Sequence, residues 1–186
     1  YNVLTYLMAI FSNAELQEIS ELQKRYPEPA ATLLPVLWRL QEKRGWIDDE
    51  AMEEAAAICQ VPKSHVQGVV SFYTMFFEKP MGRFHVQVCT NVSCMLRGGE
   101  ELLANMKSKL GVENLAVTPD GTFSLEETEC MGACGGAPMM AVNETFFEKI
   151  TNEEAAQVIE HVRAKGEIPK PKFVAQMPEL SEAANG

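Results

Sequence analysis

The chain has 186 residues, 46% of them apolar and 23% charged, which is enough for one substantial core or a modest domain with an appendage. Its formal charge of -10 argues against nucleic acid or an anionic membrane surface as the main partner, because both repel it at long range. No apolar run approaches the roughly 20 residues that a membrane-spanning helix needs, and the opening YNVLTYLMAI lacks a basic leader and a small-residue cleavage pattern, so the chain reads as soluble.

Residues 1–80 read as a helical region. Ser12 or Asn13 can cap a first helix, with Glu15 in capping-box relation to Ser12 and Leu16, Ile19 and Leu22 at helical spacing until YPEP interrupts. A second helix is expected over AATLLPVLWRLQEKRG, with Leu33, Val36, Leu37 and Leu40 on one face, Trp38 alongside them and Gly45 as terminator. Asp48 or Asp49 can cap an alanine-rich third helix, and Pro62 separates it from a fourth. Short helices with short connections predict a small bundle. SFYTMFF is too densely apolar for free exposure and is assigned to core packing between the helical and β regions, with partner contact as the alternative.

After KPMGR the period changes, and residues 81–166 read as β-α-β-β-β-α, a two-layer domain. FHVQVC alternates like a half-buried strand. A helix follows in GGEELLANMKSKLG, VTPDG is a turn, and TFSLEETEC is a strand. MMAVNE and TFFEKI make two strands joined around Asn143 and Glu144, and Thr151 with Glu154 boxes the start of a last helix. Residues 167–186, with Pro169, Pro171 and Pro178, form an extended tail that could wrap a partner.

Five cysteines, Cys59, Cys89, Cys94, Cys130 and Cys134, make a poor disulfide framework. Cys59 lies inside a helical pattern and reads as a buried structural residue. The other four form a C-x4-C pair and a C-x3-C pair, each following a strand. If those strands are sheet neighbours, their ends can present four sulfurs to one place. Thiolates suit zinc or iron with sulfide rather than calcium or magnesium. Structural zinc usually prefers tighter C-x2-C turns, so the wider loops favour two irons sharing two sulfides, with zinc still open. A thioredoxin-like thiol enzyme would need a C-x-x-C pair that neither spacing supplies. Gly132, Gly135 and Gly136 around Cys134 would let backbone amides approach sulfur and tune a reduction potential.

Other features are weaker. His85, His65 and His161 are scattered, and His85 is expected at a surface or interface. Glu126, Glu127 and Glu129 are read mainly as solvating an exposed strand. MGACGG ends a cysteine strand and does not open a dinucleotide-binding unit.

ATLLPVLWRLQEKRGWI, VQGVVSFYTMF, VQVCTNVSCMLRGGEEL and GVENLAVTPDGTFSLEETECMGACGGAPMMAVN together resemble the NuoE-type subunit family of respiratory NADH:quinone oxidoreductase, complex I. The resemblance runs over about residues 13–165, and relatives of that family also occur in NAD-linked formate dehydrogenases and hydrogenases. It implies an α+β chain in which an N-terminal helical bundle precedes a thioredoxin-like domain with one [2Fe-2S] cluster on Cys89, Cys94, Cys130 and Cys134. It also implies an electron-transfer subunit without a complete catalytic site of its own. Such a subunit sits against a large flavoprotein that carries FMN and the NADH site, with further iron-sulfur subunits of the peripheral arm nearby and no membrane insertion. The implied location is the cytoplasmic face of a bacterial inner membrane, or the matrix side in mitochondria. A diaphorase subunit of a formate dehydrogenase or hydrogenase, and a zinc-stabilised binding module, are the alternative readings.

Overall fold

The structure, a computed structural model, describes residues 10–172, so the expected tail beyond residue 172, including Pro178, lies outside the described residues. The chain divides into two compact units, Tyr1–Met81 and Gly82–Gly186.

The first unit carries α1 (Asn13–Gln23), α2 (Leu33–Arg44), α3 (Asp49–Cys59) and α4 (Lys63–Phe72). Ser12 and Glu15 form the capping box of α1, and Asp48 caps α3 by accepting from the Ala51 N–H at 2.8 Å. Ile19, Val36, Leu37, Leu40, Ala55, Cys59 and Val66 share one buried cluster. The single helix expected across AATLLPVLWRLQEKRG is instead a 3-10 turn, Pro29–Thr32, followed by α2. Pro35 explains the break, because it has no N–H to offer the Ala31 carbonyl and its ring crowds that carbonyl. Trp38 is 39% exposed at the margin of the leucine face, with its ring edge-to-face on Phe76 at 5.8 Å. In SFYTMFF only Phe76 is buried, in the core of the first unit, and Phe72 is 76% exposed, so the expected core packing holds for only part of the segment.

The second unit is a five-stranded sheet in the order β2-β3-β1-β4-β5. Its elements are β1 (Phe84–Cys89), α5 (Val92–Met95), α6 (Gly99–Leu110), β2 (Ala116–Val117), β3 (Phe123–Thr128), β4 (Met139–Val142), β5 (Thr145–Glu148) and α7 (Asn152–Lys165). The crossover through α6 makes β1 and β3 parallel neighbours, whereas β4 runs antiparallel to β1 and β5 to β4. The two-residue β2 is an addition to the expected order. The VTPDG turn folds residues 116 and 117 back along β3, and two residues are too few to show alternation in sequence.

Strand alternation sorts the sheet into two faces. Phe84, Val86 and Val88 of β1, Phe123 and Leu125 of β3, and Met140 and Val142 of β4 pack with Leu102, Met106, Ala155, Ile159 and Val162 of α6 and α7 in one buried core. His85, Gln87 and Cys89 point to the other face. Asn143, at φ 51°, turns β4 into β5 and accepts the His85 N–H at 2.7 Å, locking that hairpin to the central strand.

Candidate metal centre

The parallel register pairs Cys89, the last residue of β1, with Thr128, the last of β3. The pairing continues one step further through a Thr90 N–H to Thr128 carbonyl bond of 3.1 Å. Cys130 therefore follows β3 beside the point where Cys89 ends β1. Cys94 returns to that point because Asn91 starts α5 immediately after β1, its side chain accepting the Val92 N–H at 2.9 Å. Cys134 opens a 3-10 turn, Cys134–Gly136, before β4.

None of the four sulfurs is in a disulfide. The Cys130 and Cys134 sulfurs stand 3.8 Å apart. Cys94 is hydrogen-bonded to Cys89, and charge interactions connect Cys134 with Cys89 and Cys94. Both pairs named from sequence are thus brought together as two linked pairs. Among the described residues no three His, Cys, Asp or Glu side chains converge as a one-ion site would require. Cys89 and Cys94 are buried with Ala137 and Met139, while Cys130 and Cys134 are exposed.

Backbone donors already address the sulfurs. The Gly132 N–H donates to Cys130 Sγ at 3.5 Å, and the Met139 N–H donates to Cys94. The Gly136 amide instead donates to the Ala133 carbonyl at 2.9 Å, so it does not reach sulfur as the glycine-rich loop implied. Met139 carries no sequence signal for its role; only the sheet places its amide there.

Cys94 and Cys134 resist ionisation beside their neighbouring sulfurs. Burial, then the neighbouring Cys89, pushes Cys94 up to about 11, and the hydrogen bond and charge of Cys130 raise Cys134. A buried thiol so reluctant to ionise is a poor nucleophile for disulfide exchange. Four clustered sulfurs suit a cationic centre that offsets their charge, and two pairs suit two metals. Thr128 supports this fit. Its Oγ1 is the one buried side-chain polar atom without a hydrogen-bond partner among the described residues, and it stands across the register from Cys89. An orphaned buried hydroxyl costs on the order of 1–3 kcal/mol, so an acceptor at this end of the sheet would relieve it.

Gly99 carries no signal of its importance in the sequence. A Cβ there would lie 2.7 Å from the Cys89 carbonyl oxygen and 2.9 Å from the Cys94 carbonyl group. The start of α6 is therefore pressed against the backbone of both cysteines, and only glycine leaves room. Cys59 belongs to the first unit, where it is fully buried, with burial pushing its thiol up.

The polar face of the sheet also corrects the reading of His85. It is 6% exposed, with Nδ1 2.8 Å from Ser124 Oγ and Nε2 2.8 Å from a Glu126 carboxylate oxygen. Gln87 donates to the same carboxylate at 2.9 Å. Burial alone would raise the Glu126 carboxyl, but the His85 and Gln87 bonds outweigh it and hold Glu126 below the usual carboxylate range. Glu126 is therefore a sheet-face acceptor, not a solvating side chain. Glu127 does remain exposed and accepts from Thr90 Oγ1 at 2.9 Å.

The family described as "Thioredoxin-like [2Fe-2S] ferredoxin" matches residues 19–163, most of the chain. The chain belongs to that family. It is 36% identical over 162 residues to an NADH-quinone oxidoreductase subunit of Rhizobium meliloti, covering 87% of this chain and 96% of that protein. It is 38% identical over 149 residues to an NADH-quinone oxidoreductase subunit of Thermus thermophilus, covering 78% and 82%. It is also 37% identical to the mitochondrial NADH dehydrogenase [ubiquinone] flavoprotein 2 of Dictyostelium discoideum, covering 82% of this chain but 63% of that protein. Among solved structures, a crystal structure of an NAD+-reducing [NiFe]-hydrogenase in the H2-reduced state superposes with a TM-score of 0.64 at 23% identity. That match covers 75% of this chain and 23% of the hydrogenase chain, and it speaks to the fold alone.

These contacts set the expected stability of two variants. Glu126→Ala leaves the His85 and Gln87 groups without their acceptor and should cost about 1–3 kcal/mol at neutral pH by chemical denaturation. Because the folded carboxyl is depressed, its contribution is present above the unfolded value near ~4.3 and is lost as pH falls through the folded value. The deficit should therefore shrink in acid; a deficit independent of pH contradicts the role of the ionised carboxylate as acceptor. For Gly99→Ala, helix propensity favours alanine by about 1 kcal/mol, but the backbone clash should cost roughly 1–3 kcal/mol. Net destabilisation is expected in the same assay, and an alanine variant more stable than wild type would contradict the close approach.

Proposed function

We propose that Cys89, Cys94, Cys130 and Cys134 hold one [2Fe-2S] group, each cysteine pair taking one iron. We further propose that the chain is the electron-transfer subunit of the NADH dehydrogenase part of a respiratory NADH:quinone oxidoreductase. The observation that carries this reading is the parallel β1–β3 register, which sets the two cysteine loops side by side at one end of the sheet. Family membership and the 36% identity over most of an NADH-quinone oxidoreductase subunit supply the context.

A [2Fe-2S] group supplies one-electron uptake and release. The chain's own residues would hold it by four thiolates, direct the Gly132 and Met139 amides at the ligand sulfurs, and bury Cys89 and Cys94 while Cys130 and Cys134 remain at the surface. Amide donors to sulfur favour the added electron, and exposed ligands leave one side open to an electron partner. In this reading the partner is a flavoprotein that carries FMN and receives hydride from NADH, with other iron-sulfur subunits alongside. The first unit acts as a helical bundle. The assembly is peripheral, on the cytoplasmic side of a bacterial inner membrane or the matrix side of a mitochondrial one. No described helix is long and apolar enough to cross a membrane. The same chain would serve as the diaphorase subunit of an NAD-linked formate dehydrogenase or hydrogenase, and co-purification of the large subunits distinguishes these settings.

Iron and acid-labile sulfide in anaerobically purified chains test the ligand set. Alanine at any one of Cys89, Cys94, Cys130 or Cys134 should cut both by roughly tenfold or more, whereas Cys59→Ala should retain them. Stoichiometric zinc without iron or sulfide in the wild type would favour the binding module instead.

A further inference from the structure

We infer that the Thr128 hydroxyl donates a hydrogen bond to a sulfur of the bound two-iron group, either the Cys89 thiolate or a bridging sulfide, and thereby raises its reduction potential. This rests on the ligand assignment proposed above.

The polar face of β1 and β3 is built as rungs. The register pairs His85 with Ser124, Gln87 with Glu126 and Cys89 with Thr128. In the first rung Ser124 Oγ meets His85 Nδ1 at 2.8 Å, and in the second Gln87 donates to Glu126 at 2.9 Å. The third rung alone lacks its bond, since Thr128 Oγ1 is buried and has no partner among the described residues. Paired residues of adjacent strands project to the same face, so this hydroxyl lies on the side of the sheet that Cys89 occupies. No backbone group of the described residues uses it either. Cys89 Sγ itself donates to the Glu129 carbonyl at 3.4 Å as a thiol. Once it is a metal-bound thiolate it can only accept, and a hydroxyl donor is what it would accept from. A hydroxyl proton aimed at sulfur stabilises the electron-rich reduced state more than the oxidised one.

The test compares wild type, Thr128→Val and Thr128→Ser as full chains reconstituted with iron and sulfide. The readouts are the midpoint potential from a redox titration and the paramagnetic resonance spectrum of the reduced form. Valine keeps the shape and removes the donor, so its potential should fall, with the reduced-to-oxidised ratio at fixed poise dropping several-fold; tenfold corresponds to about 59 mV for one electron. Serine should restore most of the wild-type value. An unchanged potential and spectrum in loaded Thr128→Val overturns the inference and leaves the ligand assignment standing. A wild-type chain that takes up no two-iron group overturns both. If Thr128→Val fails to load, unfolding of the metal-free chains decides. Exchanging an orphaned hydroxyl for a methyl should leave the denaturation midpoint equal or higher, and a lower midpoint reveals a partner within the chain and overturns the inference.

Discussion

Parallel pairing of β1 with β3 is the constraint from which the site descends. Parallel neighbours end at the same edge of a sheet, so residues that follow each strand meet even when a helix and a hairpin separate them in sequence. Cys89 and Cys130 are brought side by side in this way, and the short turns of α5 and the 3-10 segment Cys134–Gly136 return Cys94 and Cys134 to the same edge. The crossover that makes the pairing parallel is α6, and its first residue, Gly99, is packed against the backbone of both Cys89 and Cys94. The element that imposes the topology thus also braces the loop.

One strand periodicity serves two purposes. Val86 and Val88 look into the core under α6 and α7, which anchors β1 as the middle strand. His85, Gln87 and Cys89 look the other way, where the partner strand answers with Ser124, Glu126 and Thr128. A polar row on a sheet face is stable only when its members satisfy one another. Two rungs do so internally, and the rung beside the cysteines does not. The one hydroxyl of this face left without an acceptor among the described residues, that of Thr128, stands at the sheet end that the cysteines occupy.

Much of this was legible in the sequence because it is written in local signals. The capping boxes at Ser12 and Thr151, the alternation of FHVQVC, the turn at Asn143 and the grouping of four cysteines into two pairs each depend on a few adjacent residues. What escaped depends on partners distant in sequence. His85 reads as a surface residue because nothing nearby announces Glu126, 41 positions away. Met139 offers only its backbone amide, which no residue type advertises. Gly99 sits beside Gly98 in what looks like an ordinary helix start, and its need for glycine emerges only when the Cys89 carbonyl is seen against it. The 3-10 turn before α2 is an intermediate case, since Pro35 is visible but its effect on the preceding turn depends on where the helix begins.

We propose that two cysteine pairs, joined by the β1–β3 pairing, bind a single two-iron centre. The most direct measurement is paramagnetic resonance of the full chain after anaerobic reconstitution and stepwise reduction. The account predicts a diamagnetic oxidised form and one two-iron signal that grows with a one-electron midpoint. Absence of that signal in fully iron- and sulfide-loaded, reduced protein would contradict it.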